Sequence, residues 1–401
     1  MDYGYISDFK NLSFGLFVHF GLYSVLGKGE WYLSTGKIPR ERYEGLTERF
    51  RVKKDWAKEL IKTAKEAGAK YITLTTRHHD GFSLYDTRGL NDYDAPHSAC
   101  GRDLIAEFAD ACRDGGLVPF FYHTLLDWKH PAYQKDFPAY IDYLVKSVEI
   151  LCRNYGKIDG FWFDGMWDKP GADWQEDRLY GTIRKYQPGA MIINNTGLSA
   201  TGQTGHRELD SVTFERGQTR EVHAPDGSDK PIAGEMCQVL NDHWGYAKED
   251  CNYKSVRELI ENLMDCRKNG CNYLLNTGLR GNGSVNQTDK CLLREVGKWI
   301  RDTRGFIYGA ESAKMACDGA DIFRRGEDLF AVIKNVPMSA DPNVALQSAG
   351  KTVRFAGAKI KGGYWLDSGE PLETVEEDAF KVRPFSYGTS LCVRVAKITL
   401  R

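Results

Sequence analysis

Two acidic residues at the ends of apolar segments are the first candidates for chemistry. Asp164 follows the apolar run Phe161 to Phe163 and lies between two tryptophans, and Glu215 ends a second run that begins at Val212. An aspartate in such a position often caps a turn by accepting bonds from backbone N–H groups. A pair of carboxyl groups in one site is also the equipment for cleaving a glycosidic bond, where one acts as nucleophile or base and the other as acid.

Other apolar segments of the chain also end in polar side chains. These ends are His19, His78-His79-Asp80, Tyr122-His123, Asn194-Asn195, Asn241 and Asn276. A single histidine or asparagine at the end of a strand commonly bonds the loop backbone. Because the carboxyl ends of parallel strands meet at one rim of a barrel, all of these residues together predict a polar pocket there.

The same residue types also suggest a metal site. Histidine and aspartate bind zinc or manganese in hydrolases built on barrels. The first segment, however, reads Val18-His19-Phe20 and lacks a His-x-His pair, and the adjacent His78 and His79 would point to opposite faces of an extended strand. We therefore favour the two-carboxylate hypothesis and expect no metal and no cofactor. A metal-dependent barrel hydrolase and a catalytically silent sugar-binding barrel remain the alternatives.

The elements that must position these residues alternate in type over residues 1–305. Short apolar runs predict eight strands, at Phe14–Phe20, Tyr71–Arg77, Val118–Thr124, Phe161–Asp164, Met191–Thr196, Val212–Glu215, Glu235–Asn241 and Tyr273–Thr277. A helical period predicts helices at Asp55–Ala67, Arg102–Arg113, Pro138–Tyr155, Trp174–Tyr186, Ser255–Lys268 and Thr288–Arg301. The connections 20–54 and 216–234 are predicted to be loops, and the Gly/Thr-rich loop 197–209 replaces one helix. This alternation predicts a (β/α)8 TIM-like barrel that carries the chemistry.

Residues 306–401 have a different pattern. Short alternating segments separated by turn residues predict strands at Asp321–Phe323, Leu329–Ile333, Thr352–Phe355, Gly363–Trp365, Phe380–Val382 and Leu391–Val395. We expect a small C-terminal antiparallel β-sandwich domain without chemistry of its own.

Composition narrows the classes of partner. The 401 residues carry a net charge of -1, so no strong field favours a nucleic acid or a membrane surface. The 10 cysteines include no CxxC pair and are predicted to be reduced thiols. The N-terminal segment MDYGYISDFK has neither the basic nor the apolar region of a signal peptide, so we expect a cytoplasmic protein.

Several stretches together resemble the α-L-fucosidases of glycoside hydrolase family 29. Their most specific combination is His78-His79-Asp80-Gly81-Phe82 followed downstream by Trp162-Phe163-Asp164-Gly165. The other matching stretches are Phe14–Ser24, Gly29–Tyr32, Phe121-Tyr122 with Leu126–Trp128, Asn241–Tyr246 and Asn272–Gly278. The fold that this resemblance implies, a (β/α)8 barrel followed by a β-sandwich, agrees with the prediction from the residues.

The resemblance also implies a reaction and a sugar pocket. It implies a retaining exo-enzyme in which Asp164 attacks the anomeric carbon and forms a covalent glycosyl-enzyme. The substrate would be a fucosylated oligosaccharide or glycoconjugate. An α-L-galactosidase activity is a narrower alternative within the same family. The fucose pocket implied for this sequence consists of His19, Glu30, Trp31, His78, His79, Tyr122, Trp162 and Trp244. Histidines and Glu30 suit the ring hydroxyls, whereas aromatic rings suit the C6 methyl group.

The acid/base residue is less clearly marked, and Glu215 and Glu235 are both candidates. Glu215 ends a strand, where a carboxylate faces the barrel mouth, whereas Glu235 begins one and should lie near the opposite rim. We therefore prefer Glu215. The mechanism requires an ionised Asp164, held by hydrogen bonds from histidines, and a Glu215 whose pKa is raised. Arg207 is predicted as a further substrate contact.

The sequence departs from the family at two of these stretches. Gly234 precedes Glu235 where the family often has tryptophan, and Phe20 stands where the family usually has tryptophan. Both changes are expected to alter the local shape of the pocket.

Overall fold

The computed structural model describes residues 3–197, 204–224, 227–339 and 350–401. Residues 198–203 of the predicted loop 197–209 and residues 225–226 of the predicted loop 216–234 lie outside this description.

Eight parallel strands form a closed barrel, as predicted. They are β1 (Phe14–His19), β2 (Tyr71–Arg77), β3 (Val118–Thr124), β4 (Gly160–Asp164), β5 (Met191–Asn194), β6 (Ser211–Glu215), β7 (Ala233–Val239) and β8 (Cys271–Gly278). Each strand pairs with the next, and β1 pairs with β8 to close the ring. The strand β7 begins two residues earlier than predicted and ends before Asn241, so Glu235 lies inside the strand.

The predicted amphipathic helices are all present, with ends shifted by up to two residues. The helices are α1 (Gly4–Leu12), α2 (Tyr23–Leu26), α3 (Tyr32–Thr35), α4 (Arg40–Glu44), α5 (Trp56–Ala67), α6 (Leu104–Gly115), α7 (Ala132–Lys135), α8 (Phe137–Asn154), α9 (Glu176–Tyr186), α10 (Val256–Lys268) and α11 (Gln287–Asp302). Asp103 caps α6 by accepting bonds from the backbone N–H groups of Ile105 and Ala106. Among the described residues, no helix combines the length and apolar character needed to cross a membrane.

The connection 20–54 was predicted as a loop, and this was wrong. It contains α2, α3 and α4 and a 3₁₀ helix at Gly45–Arg49. Segments of four or five residues make too few turns to show a helical period in the sequence. Tertiary contacts hold them instead: Tyr43 of α4 is buried and donates its hydroxyl to Asp80 at 2.7 Å.

The N-terminal end of the barrel is closed by α1, which the sequence did not predict. Phe9 of α1 is buried with its ring 5.4 Å from that of Tyr71 and 5.5 Å from that of Phe120, both inside the barrel. The Phe9 carbonyl also accepts a bond from the Asn272 side chain at 2.7 Å. The interior is therefore filled from below, and a site can form at the C-terminal ends of the strands.

The C-terminal part is a pair of antiparallel sheets, as predicted. Its strands are β9 (Glu311–Ser312), β10 (Cys317–Asp318), β11 (Asp321–Arg325), β12 (Asp328–Lys334), β13 (Lys351–Phe355), β14 (Ile360–Trp365), β15 (Glu373–Glu376), β16 (Ala379–Val382) and β17 (Val393–Leu400). One sheet has the order β10-β13-β16-β15 and the other the order β14-β17-β12-β11-β9. Apolar side chains from both sheets, such as Ile333 and Phe380, share one core. The domain boundary at residue 305 stays a prediction.

Candidate functional site

A cavity of about 110 Å³ lies at the C-terminal ends of the barrel strands. It contains both carboxyl groups singled out in the sequence and most of the predicted sugar-binding residues. The lining residues are Phe17, His19, Trp31, His78, His79, Tyr122, Trp162, Asp164, Trp167, Asn195, Glu215, Cys237 and Trp244. The fold thus brings together side chains from widely separated parts of the chain.

Asp164 is the last residue of β4 and is held by three side-chain donors. Its Oδ2 accepts from the Tyr122 hydroxyl at 3.1 Å, and its Oδ1 accepts from Trp167 Nε1 at 3.1 Å and from Asn195 Nδ2 at 3.3 Å. Burial raises the pKa of Asp164, and these bonds oppose the rise by stabilising the ionised form. The predicted histidine donors are replaced by a phenol, an indole and an amide, while His79 Nε2 is 3.5 Å from Oδ2.

Glu215 is the last residue of β6 and stands at the more exposed edge of the cavity. Its Oε2 accepts from Asn195 Nδ2 at 2.8 Å. Partial burial of the carboxyl group raises the pKa of Glu215, the nearby charge of Asp164 raises it further, and Asn195 and Arg216 oppose these effects. The direction is the one expected for a group that must carry a proton.

The protonation state of His19 follows from its neighbours. Its Nδ1 lies 2.6 Å from Asn276 Oδ1, and Asn276 uses its amide N–H to donate to the Trp244 carbonyl at 2.7 Å. The Asn276 oxygen must therefore accept, which makes Nδ1 of His19 the donor. Burial lowers the pKa of His19 to about 3, so the ring is neutral at physiological pH. Its Nε2 then carries no proton and can accept a bond.

His79 is fixed in the same tautomer. Its Nδ1 lies 2.7 Å from Thr124 Oγ1, and Thr124 gives its hydroxyl proton to the Leu126 carbonyl at 2.5 Å. His79 must therefore donate from Nδ1 and keep Nε2 unprotonated. Burial lowers the pKa of His79 to about 3. Both histidines thus offer an acceptor rather than a positive charge.

The expectation that His78 and His79 point to opposite faces was wrong. The strand β2 ends at Arg77, and the register of its pairing with β3 shifts between Thr75 and Arg77. The two histidines come after the end of the strand, so the alternation of side chains between its two faces does not apply to them. Both line the cavity, with ring centroids 4.1 Å apart.

His123 was predicted at the polar rim and does not line the cavity. It is the neighbour of Tyr122 on β3, and successive side chains of a strand face opposite sides. Tyr122 faces the barrel interior, whereas His123 lies against α8, with Nε2 3.3 Å from Ser147 Oγ and Nδ1 2.8 Å from Thr76 Oγ1.

The described residues contain no group of three or more His, Cys, Asp and Glu side chains arranged to hold a metal ion.

Glu30 and Glu235 are buried near the cavity but do not line it. Glu30 accepts a bond from the backbone N–H of Gly245 at 2.7 Å and so anchors the turn that carries Trp244. Glu235 is fully buried in β7 and accepts from Trp162 Nε1. Because it lies beneath the cavity, the structure does not place it where an acid could reach a leaving group.

Arg207, predicted as a substrate contact, lies elsewhere. Its side chain is 77% exposed and pairs with Asp177 of α9 at 2.8 Å.

The two departures from the family pattern also lie outside the lining. Phe20 packs against Phe50 and Trp56 in the core, and a Cβ atom at Gly234 would be 2.5 Å from Cys271 Sγ. A large side chain at position 234 therefore needs a different packing from the one found here.

Four lining residues were not among the predicted catalytic or sugar-binding residues, although Asn195 was among the polar strand ends: Phe17, Trp167, Asn195 and Cys237. Phe17 precedes His19 by two residues on β1, so the period of a strand would have indicated that it faces the same side. Asn195 and Trp167 were noted beside the strand ends, but no sequence pattern showed that both would bond Asp164. Cys237 had no signal at all.

Comparison with known proteins agrees with this fold. The family model described as Alpha-L-fucosidase matches residues 4–304. The mouse tissue alpha-L-fucosidase is 28% identical over 76% of this chain and 72% of its own, and the Dictyostelium discoideum alpha-L-fucosidase is 24% identical over 75% and 71%. The solved alpha-L-fucosidase isoenzyme 1 from Paenibacillus thiaminolyticus has a TM-score of 0.85 and 30% identity, covering 99% of both chains.

A second solved structure is similar in fold. It is a Bacteroides thetaiotaomicron alpha-L-fucosidase, trapped as a covalent intermediate with 2-fluoro-fucosyl fluoride. It has a TM-score of 0.81 and 22% identity, covering 100% of this chain and 97% of that one.

Proposed function

Because this chain belongs to the α-L-fucosidases of glycoside hydrolase family 29, we propose that it is a retaining exo-enzyme that removes terminal α-L-fucosyl groups from oligosaccharides or glycoconjugates. Membership in this family makes the protein a glycoside hydrolase. The observation that carries the finer proposal is the bridge made by Asn195, whose amide nitrogen bonds both Asp164 and Glu215 at the cavity.

The proposed reaction has two steps. In the first, an Asp164 oxygen bonds to the anomeric carbon while the glycosidic oxygen leaves with the proton of Glu215. In the second, Glu215 takes a proton from water, and the resulting hydroxide displaces Asp164 and releases the sugar. Each carboxyl group returns to its starting state.

The spacing of the carboxyl groups supports retention. The Asn195 nitrogen is 3.3 Å from Asp164 Oδ1 and 2.8 Å from Glu215 Oε2, so these two oxygens lie within about 6 Å of each other. Retaining enzymes hold the two groups about 5–5.5 Å apart, whereas inverting enzymes need about 6.5–9.5 Å to admit a water molecule. The trapped intermediate of the Bacteroides relative agrees with a covalent step.

The lining supports recognition of a terminal deoxysugar. The unprotonated Nε2 atoms of His19 and His79 can accept bonds from two ring hydroxyls. Phe17 and Trp162, whose rings lie 5.0 Å apart, present an apolar wall suited to a methyl group. The barrel is filled beneath the cavity, so one sugar ring enters and the remainder of the substrate extends towards solvent.

The test is hydrolysis of an aryl α-L-fucoside by the wild-type protein, Asp164→Ala and Glu215→Gln, with and without chelator and azide. We expect release by the wild type that is insensitive to chelator and lost in Asp164→Ala. Azide should partly restore release by Asp164→Ala, because it replaces the missing carboxylate as nucleophile, and the product should be a glycosyl azide. An aryl α-L-galactoside, run in parallel, tests the narrower alternative. Release abolished by chelator, or faster turnover of the galactoside, would overturn the proposal.

A further inference from the structure

A buried carboxyl group lies directly beneath the cavity. Glu235 is 0% exposed, and its Oε1 accepts from Trp162 Nε1 at 2.8 Å while its Oε2 accepts from the Tyr71 hydroxyl at 2.5 Å. Cys237, two residues further along β7, faces the same side and lines the cavity, so Glu235 is one layer deeper in the barrel. The proposed mechanism gives this carboxyl group no task.

Trp162 connects this layer to the reacting groups. Its indole lines the cavity and stacks on the ring of Tyr122, with centroids 5.6 Å apart and planes inclined by 21°. Tyr122 in turn donates its hydroxyl to Asp164 Oδ2 at 3.1 Å. A continuous series of contacts therefore runs from Glu235 to the proposed nucleophile, and each member is buried or nearly so.

We infer that Glu235 is a positioning residue: it holds the Trp162 indole at the cavity floor and, through the stacked Tyr122, keeps the phenol in place beside Asp164. The consequence for Asp164 rests on the function proposed above, whereas the bond to Trp162 does not. Glu235 acts without touching the sugar. Burial raises the pKa of the Glu235 carboxyl group to about 7. In this account the raised pKa results from the residue's place in the core and does not indicate an acid/base role.

The chemistry of the two donors explains why an acidic residue is suited to this position. Trp162 offers an N–H that can only donate, so any partner there must accept. Loss of the acceptor would leave this N–H buried and unpaired and would favour a shifted indole. In Glu235→Gln the amide oxygen still accepts from Trp162, and the amide N–H can donate to the Tyr71 oxygen. Glu235→Leu keeps neither bond.

The kinetic test compares these two variants on aryl α-L-fucosides whose phenols differ in acidity. Glu235→Gln should keep kcat/KM within about threefold of the wild-type value, because the bond to Trp162 survives. Glu235→Leu should lose about tenfold to a hundredfold through misplacement of the cavity floor, equally for every leaving group and with a higher KM. Tyr71→Phe removes the other partner of Glu235 and should stay within about threefold.

An acid/base role predicts the opposite pattern. Glu235→Gln would then lose as much as Glu235→Leu, and the loss would grow as the leaving phenol becomes less acidic. That result would overturn the inference. If Glu235→Leu does not fold, the leaving-group series on Glu235→Gln still separates the two roles.

A second measurement is independent of activity. The indole ¹⁵N–¹H resonance of Trp162, assigned by its disappearance in Trp162→Phe, reports the bond directly. We expect it to stay near its wild-type position in Glu235→Gln and to move upfield in proton shift in Glu235→Leu. If that folded variant leaves the resonance unmoved, the inference is wrong. If the wild type shows no fucosidase activity but the resonance moves as expected, the proposed function fails while the Glu235–Trp162 bond stands.

Discussion

Asn195 donates its side-chain amide to Glu215 at 2.8 Å and, with the same nitrogen, to Asp164 at 3.3 Å. Asn195 follows β5, midway along the barrel ring between the strands that end in the two carboxyl groups. A single neutral donor therefore stabilises the ionised forms of both the proposed nucleophile and the proposed acid.

Replacing Asn195 by alanine should move both ionisations upwards. Because a bond from an amide N–H favours the ionised carboxylate, its loss raises the pKa of Asp164 and of Glu215. The acidic limb of kcat/KM against pH, which reports the ionisation of Asp164, and the basic limb, which reports deprotonation of Glu215, should each shift to higher pH by about half a unit to one unit. A pH–rate profile of the purified variant measures this.

The neighbouring Asn194 provides a matched control. It is also buried, but it donates to the Tyr180 hydroxyl at 2.9 Å and does not line the cavity. Asn194→Ala should leave both limbs in place even if it lowers the melting temperature. A shift of equal size in both variants would mean that general destabilisation, not the shared bond, sets the profile.

Trp167 should affect the acidic limb alone. Its indole N–H donates to Asp164 at 3.1 Å, and its ring stacks on Trp31 with centroids 6.0 Å apart. Trp167→Phe removes the donor but keeps an aromatic ring, so the pKa of Asp164 rises and activity is lost at a higher pH on the acidic side. We expect a shift of about half a unit, since Trp167 is partly exposed. Trp128→Phe, in the same aromatic cluster without a bond to Asp164, should leave the limb unchanged.

The neutral histidines should act on binding rather than on ionisation. In His79→Asn the amide can still donate to Thr124, but the Nε2 acceptor is gone. We expect a rise in KM and a loss of about tenfold in kcat/KM, because a substrate hydroxyl loses its partner. The acidic limb should not take on a histidine-like value near pH 6.5.

His123 tests whether a polar residue near a strand end affects binding when it lies outside the cavity. His123→Asn changes a buried histidine that contacts Thr76 and Ser147 outside the cavity. It should lower the melting temperature and leave KM for the aryl fucoside unchanged. An increase in KM equal to that of His79→Asn would contradict the assignment of His123 to the outer face of β3.

One buried carboxylate supports the fold rather than the site. Asp210 is fully buried and accepts from Arg184 at 2.7 Å, and it lies 2.8 Å from Lys230 Nζ. Asp210→Ala should reduce the free energy of unfolding by about 3–5 kcal/mol, because Arg184 and Lys230, both largely buried, lose a carboxylate partner. Asp177→Ala breaks an exposed pair with Arg207 and should stay within about 0.5 kcal/mol. Urea unfolding of both variants measures the difference.

Much of the architecture could be predicted from the sequence, because the two-residue period of strands and the 3.6-residue period of helices are both visible in it. Alternation of strand and helix patterns gave the barrel, and polar residues at the strand ends gave the location of Asp164 and Glu215. The failures occurred where the exact end of a strand decides which way a side chain faces. His123 still belongs to β3 and turns outwards, whereas His78 lies just beyond β2 and does not.

The remaining differences depend on contacts between distant segments. Helix α1 covers the barrel through Phe9, and α4 is held by Tyr43, features that no local period reveals. The same holds for the bond between Glu235 and Trp162, which are separated by 73 residues. Residue type made Glu235 a rival acid, and its predicted place at the start of a strand argued against it; its burial beneath the cavity agrees with that argument.

Trapping the glycosyl-enzyme tests the central claim most directly. Wild-type protein is incubated with 2-fluoro-fucosyl fluoride and analysed by intact mass and by sequencing of the labelled peptide, with Asp164→Asn as control. The account predicts one fluorofucosyl group per chain, attached to Asp164, and no label in the variant. A label on Glu215 or another residue, or an unlabelled protein that still turns over aryl α-L-fucoside in the presence of the reagent, would contradict it.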